Sequence, residues 1–325
     1  MREFTVGEKE AGIRADKYVM RLLDKAPKGF VYKMLRKKNI VLNDRKITGS
    51  ETLKESDVIK IYFSDETFEK FSSFKTYNTF SDNEVKCGKI DIIYEDKDII
   101  IINKPAGVLS QKADKNDYSA NEQIIDYLIS SGQLKREELA VFRPSVCSRL
   151  DRNTSGLLIA GKTMKGLQET GELIKSRRLQ KYYGCIVYGN VSEGAGIQGY
   201  LVKDHASNIV RVTRTAYEGG GSYIETEYKP AENLGDFTFL EVHLITGRSH
   251  QIRAHLAAEG YPVCGDPKYG NKKINKMLRS KLGIESQMLY AAKLVFPDGR
   301  EFCAPEPEEF ARLRDYMAAS GGTVL

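Results

Sequence analysis

The sequence predicts an α+β protein: a larger domain with a central mixed, mainly antiparallel sheet and flanking helices, preceded by a small α/β module. Three observations carry this. From Ile90 onward, strand-like segments come in runs instead of alternating strictly with helices, the pattern of an α+β rather than a parallel α/β domain. Over the first sixty-odd residues, two stretches of helical apolar spacing precede shorter, alternating ones. The positive charge is also unevenly placed. Residues 1–63 hold fifteen Lys or Arg against nine Asp or Glu, and the rest of the chain is balanced. Such asymmetry marks a polyanion-binding module joined to a neutral body.

In the module, Ile13, Tyr18, Val19, Leu22 and Leu23 recur at helical spacing. Residues 30–38, FVYKMLRKK, predict a second short helix with Lys33, Arg36, Lys37 and Lys38 near one side. IVLNDRKI reads as strand, turn and strand with Asn43-Asp44 at the bend, and VIKIYF closes the module. Arg14, Lys17 and Arg21 stand beside the basic helix, and Arg45 and Lys46 lie at the hairpin, which together predict a phosphate-binding surface. Residues 64–89 are expected to be a linker. Its aromatics Phe68, Phe71, Phe74, Tyr77 and Phe80 recur at every third position and are expected to strap onto the larger domain.

The domain over 90–325 begins with a hairpin, IDIIYED and IIIIN, turning at Asp96-Lys97-Asp98. A helix is expected over 119–131, a buried strand at LLIAGK, and a helix from Met164 to Arg177. Strands follow at 181–189, about 209–214, 222–229 and 237–245, and then a helix from Ser249 to Glu259 capped by Ser249. YAAKLVFPDG is a further strand and PEEFARLRDYM a closing helix, while Gly219-Gly220-Gly221 reads as a loop.

Composition excludes several function classes. The longest aliphatic run, Ile99–Ile102, is far short of the roughly 20 residues that span a membrane. The charged opening, MREFTVGEKE, predicts no secretory leader. Five scattered cysteines without a C-x-x-C pair fit reduced thiols in a cytosol. Gly194–Gly199 matches G-x-G-x-x-G, but no helical period follows it, as a dinucleotide site requires. His250 and His255 stand five apart in a helix and point to different faces, so no metal site is expected. P-loop and nucleophile-elbow motifs are absent.

The segment CSRLDRNTSGLLIAG, residues 147–161, is where chemistry concentrates. Asp151 stands between Arg149 and Arg152, and Thr154, Ser155 and Gly156 lead into an apolar run. Small polar residues and glycine suit a turn that presents a side chain. Other marked segments are Asn103–Gly107 (NKPAG), Lys181-Tyr182-Tyr183, Thr246–Leu256 (TGRSHQIRAHL) and Gly265–Gly270 (GDPKYG).

Taken in this order, the five segments resemble the RluA/RluC/RluD family of pseudouridine synthases over about residues 90–310. The stretch 12–63 is similar to the alpha-L RNA-binding motif, first named in a small-subunit ribosomal protein. Its carriers are Arg14–Tyr18, the basic second helix, Ile40–Asn43 and Ser56–Ile59. The resemblance implies isomerisation of uridine in RNA to pseudouridine without a cofactor: uracil is detached from its ribose, turned, and rejoined through carbon 5. Asp151 matches the family's catalytic aspartate. Cleaving a glycosidic bond builds oxocarbenium-like charge on the sugar, which an anionic oxygen stabilises or traps. Tyr183 matches the tyrosine that lies against the uracil, and Arg253 the basic residue that orients the aspartate, with Arg248 competing for that role or contacting phosphate. Arg149 matches the arginine that helps displace the target nucleotide, since a paired uridine must be flipped out. Asn103, Lys104 and Pro105 are read as scaffold for the pocket wall, with Lys104 and Ile252 also candidate substrate contacts, and Arg14, Lys17, Lys33, Arg36, Lys37 and Lys38 are the candidate contacts to RNA.

The chain departs from the family at Ser148, where His is usual, and Ser148 is expected to support the loop. The implied partner is RNA, chiefly of the large ribosomal subunit, with no membrane partner, and a monomer suffices. The alternative reading is a noncatalytic RNA-binding or ribosome-assembly protein that keeps the fold.

Overall fold

In the computed structural model the chain is described over residues 1–73, 90–114, 116–204, 209–215 and 221–323. The N-terminal module contains β1 (Arg2–Thr5), α1 (Ala15–Leu22), α2 (Lys28–Arg36), β2 (Ile40–Leu42), β3 (Arg45–Lys46) and β4 (Val58–Ile61). Its antiparallel sheet has the order β1-β4-β2-β3. Asn43 and Asp44 both adopt positive φ, the geometry a two-residue hairpin turn needs and that Asn and Asp tolerate best. The apolar residues expected on the first helix, Tyr18, Val19, Leu22 and Leu23, are buried with Leu35, Ile40 and Ile59.

The expected linker begins as structure. Ser64 caps α3 (Asp65–Phe71) by accepting from the Thr67 amide at 3.2 Å. Phe68 enters the module's core, and Phe71 packs on Phe30 with ring centroids 4.4 Å apart. These two aromatics therefore strap the module rather than the larger domain, because the cap starts a helix almost directly after β4. Phe74, Tyr77, Phe80, Gly219 and Gly220 lie outside the described residues.

The larger domain holds β5 (Ile92–Glu95), β6 (Ile99–Lys104), α4 (Ala120–Ser130), β7 (Ser145–Val146), β8 (Ser155–Gly161), α5 (Met164–Lys175) and β9 (Gln180–Tyr188). Next come β10 (Ala195–Asp204), β11 (Ile209–Thr213), β12 (Ser222–Asn233), β13 (Phe237–Leu244) and α6 (Gln251–Ala258). Last are α7 (Lys272–Leu282), β14 (Leu289–Val295), β15 (Glu301–Cys303) and α8 (Glu308–Ala319). The sheet runs β11-β10-β12-β13-β9-β14-β8-β6-β5, with β15 on β14 and β7 on β8. Among the described pairings only β14–β8 is parallel, so the sheet is mixed and mainly antiparallel, as expected. The four isoleucines of β6 are all buried in the main core, which is why this strand is an unbroken apolar run rather than an alternating one.

The Gly194–Gly199 segment is strand β10, paired to β11 on one side and β12 on the other. The module and the larger domain share apolar packing: Val141 and Phe142 lie in the module's core. Arg21, expected on the phosphate-binding surface, is exposed and donates to the Val141 carbonyl at 2.6 Å. The Gln168 amide donates across the same junction to Gly12 O at 3.1 Å.

Candidate active site

Asp151 sits on the loop between β7 and β8, and the loop's shape follows from its neighbours. Ser110 braces it by donating to Leu150 O and accepting from Leu150 N, both at 2.9 Å. The Thr154 amide turns back to Asp151 O at 3.1 Å. Gly156 has φ +100°, and a Cβ there would lie 2.3 Å from Ala291 O on the parallel neighbour. Only glycine allows β8 to leave the loop this close to β14.

Lys104 ends β6 beneath the loop. It is fully buried, and its ammonium donates to the carbonyls of Pro105 and Val108 at 2.9 Å and of Arg152 at 3.1 Å. Burial pushes its pKa down to about 8, with the charge of Asp151 pulling the other way. A side chain so committed holds two loops together, as the scaffold reading of this segment expects.

Arg253 projects from α6 and joins two carboxylates. Its Nε and one terminal nitrogen fork onto Asp266 at 2.7 and 2.8 Å, and the other terminal nitrogen donates to Asp151 Oδ2 at 2.8 Å. Arg253 is 5 % exposed and Asp266 fully buried, whereas the Asp151 side chain is 24 % exposed. Burial works against the guanidinium's charge, but Asp266 and Asp151 outweigh it and raise its pKa. Asp266 is held in turn by the amides of Lys268 and Tyr269 at 2.8 and 3.1 Å. Asn275 of α7 laces this loop by donating to Asp266 O at 2.7 Å and accepting from Gly265 N at 2.9 Å.

Helix α6 starts differently from expectation. Ser249 does not cap it: His250 is the N-cap residue, in the left-handed region at φ 58° and without a side-chain cap. Gln251 takes over the anchoring. Its Oε1 accepts from Thr246 Oγ1 at 2.8 Å and Arg248 N at 3.1 Å, and its amide donates to Glu225 O at 2.9 Å. His250 meets Tyr269 OH at 2.9 Å, and burial lowers its pKa.

Tyr183 lies on β9 between Val242 of β13 and Ala291 of β14. It is 8 % exposed, and burial, with the charge of Asp151 adding, raises its pKa. The phenol is therefore neutral across the physiological range. Tyr183, Ser148, Leu150, Leu157, Lys181 and Lys293 line a common cavity. Ser148 faces this cavity and its hydroxyl makes no hydrogen bond among the described residues; the bracing expected of it is done by Ser110.

Arg149 and Arg248 are exposed and have no ion pair among the described residues. Ile252 is packed into the main core at 4 % exposure and is not on the surface. In the module, Lys17, Lys33, Arg36, Lys37 and Lys38 are exposed, while Arg14 forks onto Asp16 at 3.1 and 2.9 Å. The structure thus pairs Asp151 with Arg253 and sets Tyr183 within reach of the Asp151 charge. It adds Asp266 and Tyr269 from the marked GDPKYG segment and His250 from TGRSHQIRAHL, together with Asn275, which lies outside every marked segment. No cluster of three His, Cys, Asp or Glu side chains suited to a metal occurs among the described residues.

A family profile described as RNA pseudouridylate synthase matches residues 98–258. Ribosomal large subunit pseudouridine synthase C of Rickettsia bellii is 32% identical over 306 residues, covering 92% of this chain and 96% of the relative. The protein of the same name from Haemophilus influenzae is 30% identical over 302 residues, covering 91% of this chain and 87% of the relative. Among solved structures, human RNA pseudouridylate synthase domain containing 4 superposes with TM-score 0.57 at 19% identity, over 70% of this chain and 93% of that one. Human RNA pseudouridylate synthase domain containing 1 gives 0.53 at 22%, over 70% and 87%. The two human structures share the fold, and the bacterial relatives extend the likeness through nearly the whole sequence: the chain belongs to the RluA/RluC/RluD family of RNA pseudouridine synthases.

Proposed function

We propose that this pseudouridine synthase acts on uridines of large-subunit ribosomal RNA, in the cytosol and as a monomer, with Asp151 as the reacting carboxylate. The observation that carries the reading is the asymmetry of the Asp151–Arg253–Asp266 chain. Asp266 fixes the guanidinium from inside, and Asp151 is the one carboxylate of the three-residue chain left open to a substrate. A single open carboxylate, next in the chain to the cavity-lining Leu150, suits a reaction that cleaves a glycosidic bond and keeps the base. A second acid–base pair set to activate water would divert the sugar to hydrolysis.

Tyr183, neutral and buried against the cavity, serves as a flat surface and hydroxyl for the uracil, not as a phenolate base. Arg149 and Arg248, exposed and unpaired among the described residues, supply charge for the flipped nucleotide and its phosphates. Lys17, Lys33, Arg36, Lys37 and Lys38 extend the phosphate contacts onto the module. No helix among the described residues is long and apolar enough to cross a membrane. The names of the bacterial relatives support the ribosomal substrate. Pseudouridine mapping of large-subunit ribosomal RNA from cells with and without this protein tests the reading. Loss of one or more specific pseudouridines is expected, and an unchanged map would overturn the assignment.

A further inference from the structure

Helix α7 carries five basic residues, Lys272, Lys273, Lys276, Arg279 and Lys281, and no acidic one. All five are exposed and none has an ion pair among the described residues. Ile274 and Leu278 anchor the opposite face in the core beside α8. At 100° per residue, Lys272, Lys276 and Arg279 lie within about 60° of one another on the outer face.

This is an electrostatically unfavourable helix. Like charges at i, i+3 and i, i+4 repel, and Lys272 and Lys273 sit in the first turn, where the helix dipole disfavours cations, although it favours Arg279 and Lys281 in the last turn. A merely solvated face would mix both signs. Outside the N-terminal module the chain has as many acidic as basic residues, so removing this helix leaves the rest of that body net negative. The patch is also joined to the catalytic pair. Asn275, on the same helix, holds both Gly265 and Asp266, and Asp266 holds Arg253.

We infer that α7 is a second RNA-docking surface, which takes the phosphate backbone of the substrate RNA alongside the active site and apart from the N-terminal module. The inference rests on the proposed RNA substrate. Bound phosphates would relieve the repulsion within the helix and set the RNA against the loop that orients Arg253. The helix contributes affinity through charge and leaves the bond-breaking step to Asp151.

The test compares Lys272→Gln/Lys276→Gln/Arg279→Gln with a control of equal charge, Lys135→Gln/Lys229→Gln/Arg312→Gln, whose residues are exposed elsewhere. The probe is a large-subunit ribosomal RNA transcript labelled with tritium at carbon 5 of uridine. Binding is measured over a salt series and tritium release at saturating RNA. The α7 variant should lose roughly tenfold or more in affinity, and its log–log salt slope should fall by about 2 to 3. Its kcat should be kept, and the control should match the parent. Equal slopes for the α7 variant and the control would overturn the docking surface. Failure of the parent to release tritium would overturn the substrate reading instead, and the binding slopes would still decide whether α7 takes RNA.

Discussion

In the N-terminal module Arg14 forks onto Asp16, whose carboxylate is 3 % exposed while the guanidinium is 53 % exposed. In the larger domain the burial is reversed: Arg253 is 5 % exposed and Asp151 24 %. Both are Arg–Asp ion pairs, a two-nitrogen fork in the module and a single hydrogen bond in the larger domain, with the opposite member facing water. Asp16 also accepts from Tyr32 OH and the Lys17 amide at 2.8 Å, so its oxygens are satisfied and it works as a structural clasp at the start of α1. Asp151 accepts a side-chain hydrogen bond from Arg253 alone among the described residues, which leaves its remaining lone pairs available. Arg253, for its part, is held rigidly by Asp266. The difference teaches that a buried cation fixed from behind is what allows an aspartate to be both oriented and open.

The sharpest way to break this comparison is to neutralise each aspartate. Asp151→Asn should reduce tritium release by at least about 10³-fold, with RNA affinity and thermal stability close to the parent. Asp16→Asn should do the reverse: turnover kept, and stability lower by about 1–2 kcal/mol, because a buried acceptor loses its charge-assisted bonds. A variant of Asp151 that unfolds, or of Asp16 that loses turnover in a folded state, would erase the distinction.

Next in size is the arginine side. Arg253→Leu strands Asp266 as an unpaired buried charge, and about 3–5 kcal/mol of stability should go with it, as read by denaturant unfolding. Arg14→Gln should produce a much smaller drop, since water can take the place of an exposed guanidinium. Equal losses would mean that burial does not set the roles of these pairs.

A third experiment separates binding from chemistry. Deleting residues 1–63 would uncover Val141 and Phe142, so surface charge is the cleaner probe. Lys33→Gln/Arg36→Gln/Lys37→Gln should flatten the salt dependence of RNA binding by about 2 to 3 in log–log slope and leave kcat unchanged. An unchanged slope would remove α2 from the RNA surface.

Asp151, Arg253 and Tyr183 were legible because their motifs mark residues whose chemistry is local: an acid between arginines, a tyrosine on a strand, an arginine on a helix. Asp266 was not, although its segment stood out, because its role exists only once α6 and the following loop close on each other. Helix α7 went unread although Ile274, Met277, Leu278 and Leu282 recur at helical spacing and pack into one core. Its boundary signals were there to be used: Asn271 caps the Lys273 and Ile274 amides, and Gly283 ends the helix at φ 65°. Ile252 was expected as a contact because it stands between Arg248 and Arg253 in the motif, yet its position on α6 turns it into the core. Ser64 is the equivalent missed signal at the supposed linker, where an N-cap residue precedes a helix that carries Phe68 inward.

Acid sharpens the comparison most gently, because the two regions lose stability in different windows. His255, on the same helix as Arg253, is buried against Thr226 Oγ1 at 3.0 Å, and burial lowers its pKa from 6.5 to about 4. The folded protein therefore keeps it neutral where the unfolded chain would protonate it. Stability present above pH 6.5 is lost as pH falls toward 4, by on the order of 3 kcal/mol. His250, also lowered by burial, acts in the same direction. The module has no histidine. The Arg14 hydrogen bond holds the Asp16 pKa below its ordinary 3.8, so that contribution persists until pH falls below this value. Between pH 7 and 4.5 the melting temperature should thus decline through the larger domain. His255→Gln, which can keep the bond to Thr226 without titrating, should remove much of that decline, and Asp16→Asn should lower the curve without changing its slope. A decline unaltered in His255→Gln would show that another group governs the acid response, and that the buried cation site of the larger domain is not where pH first acts.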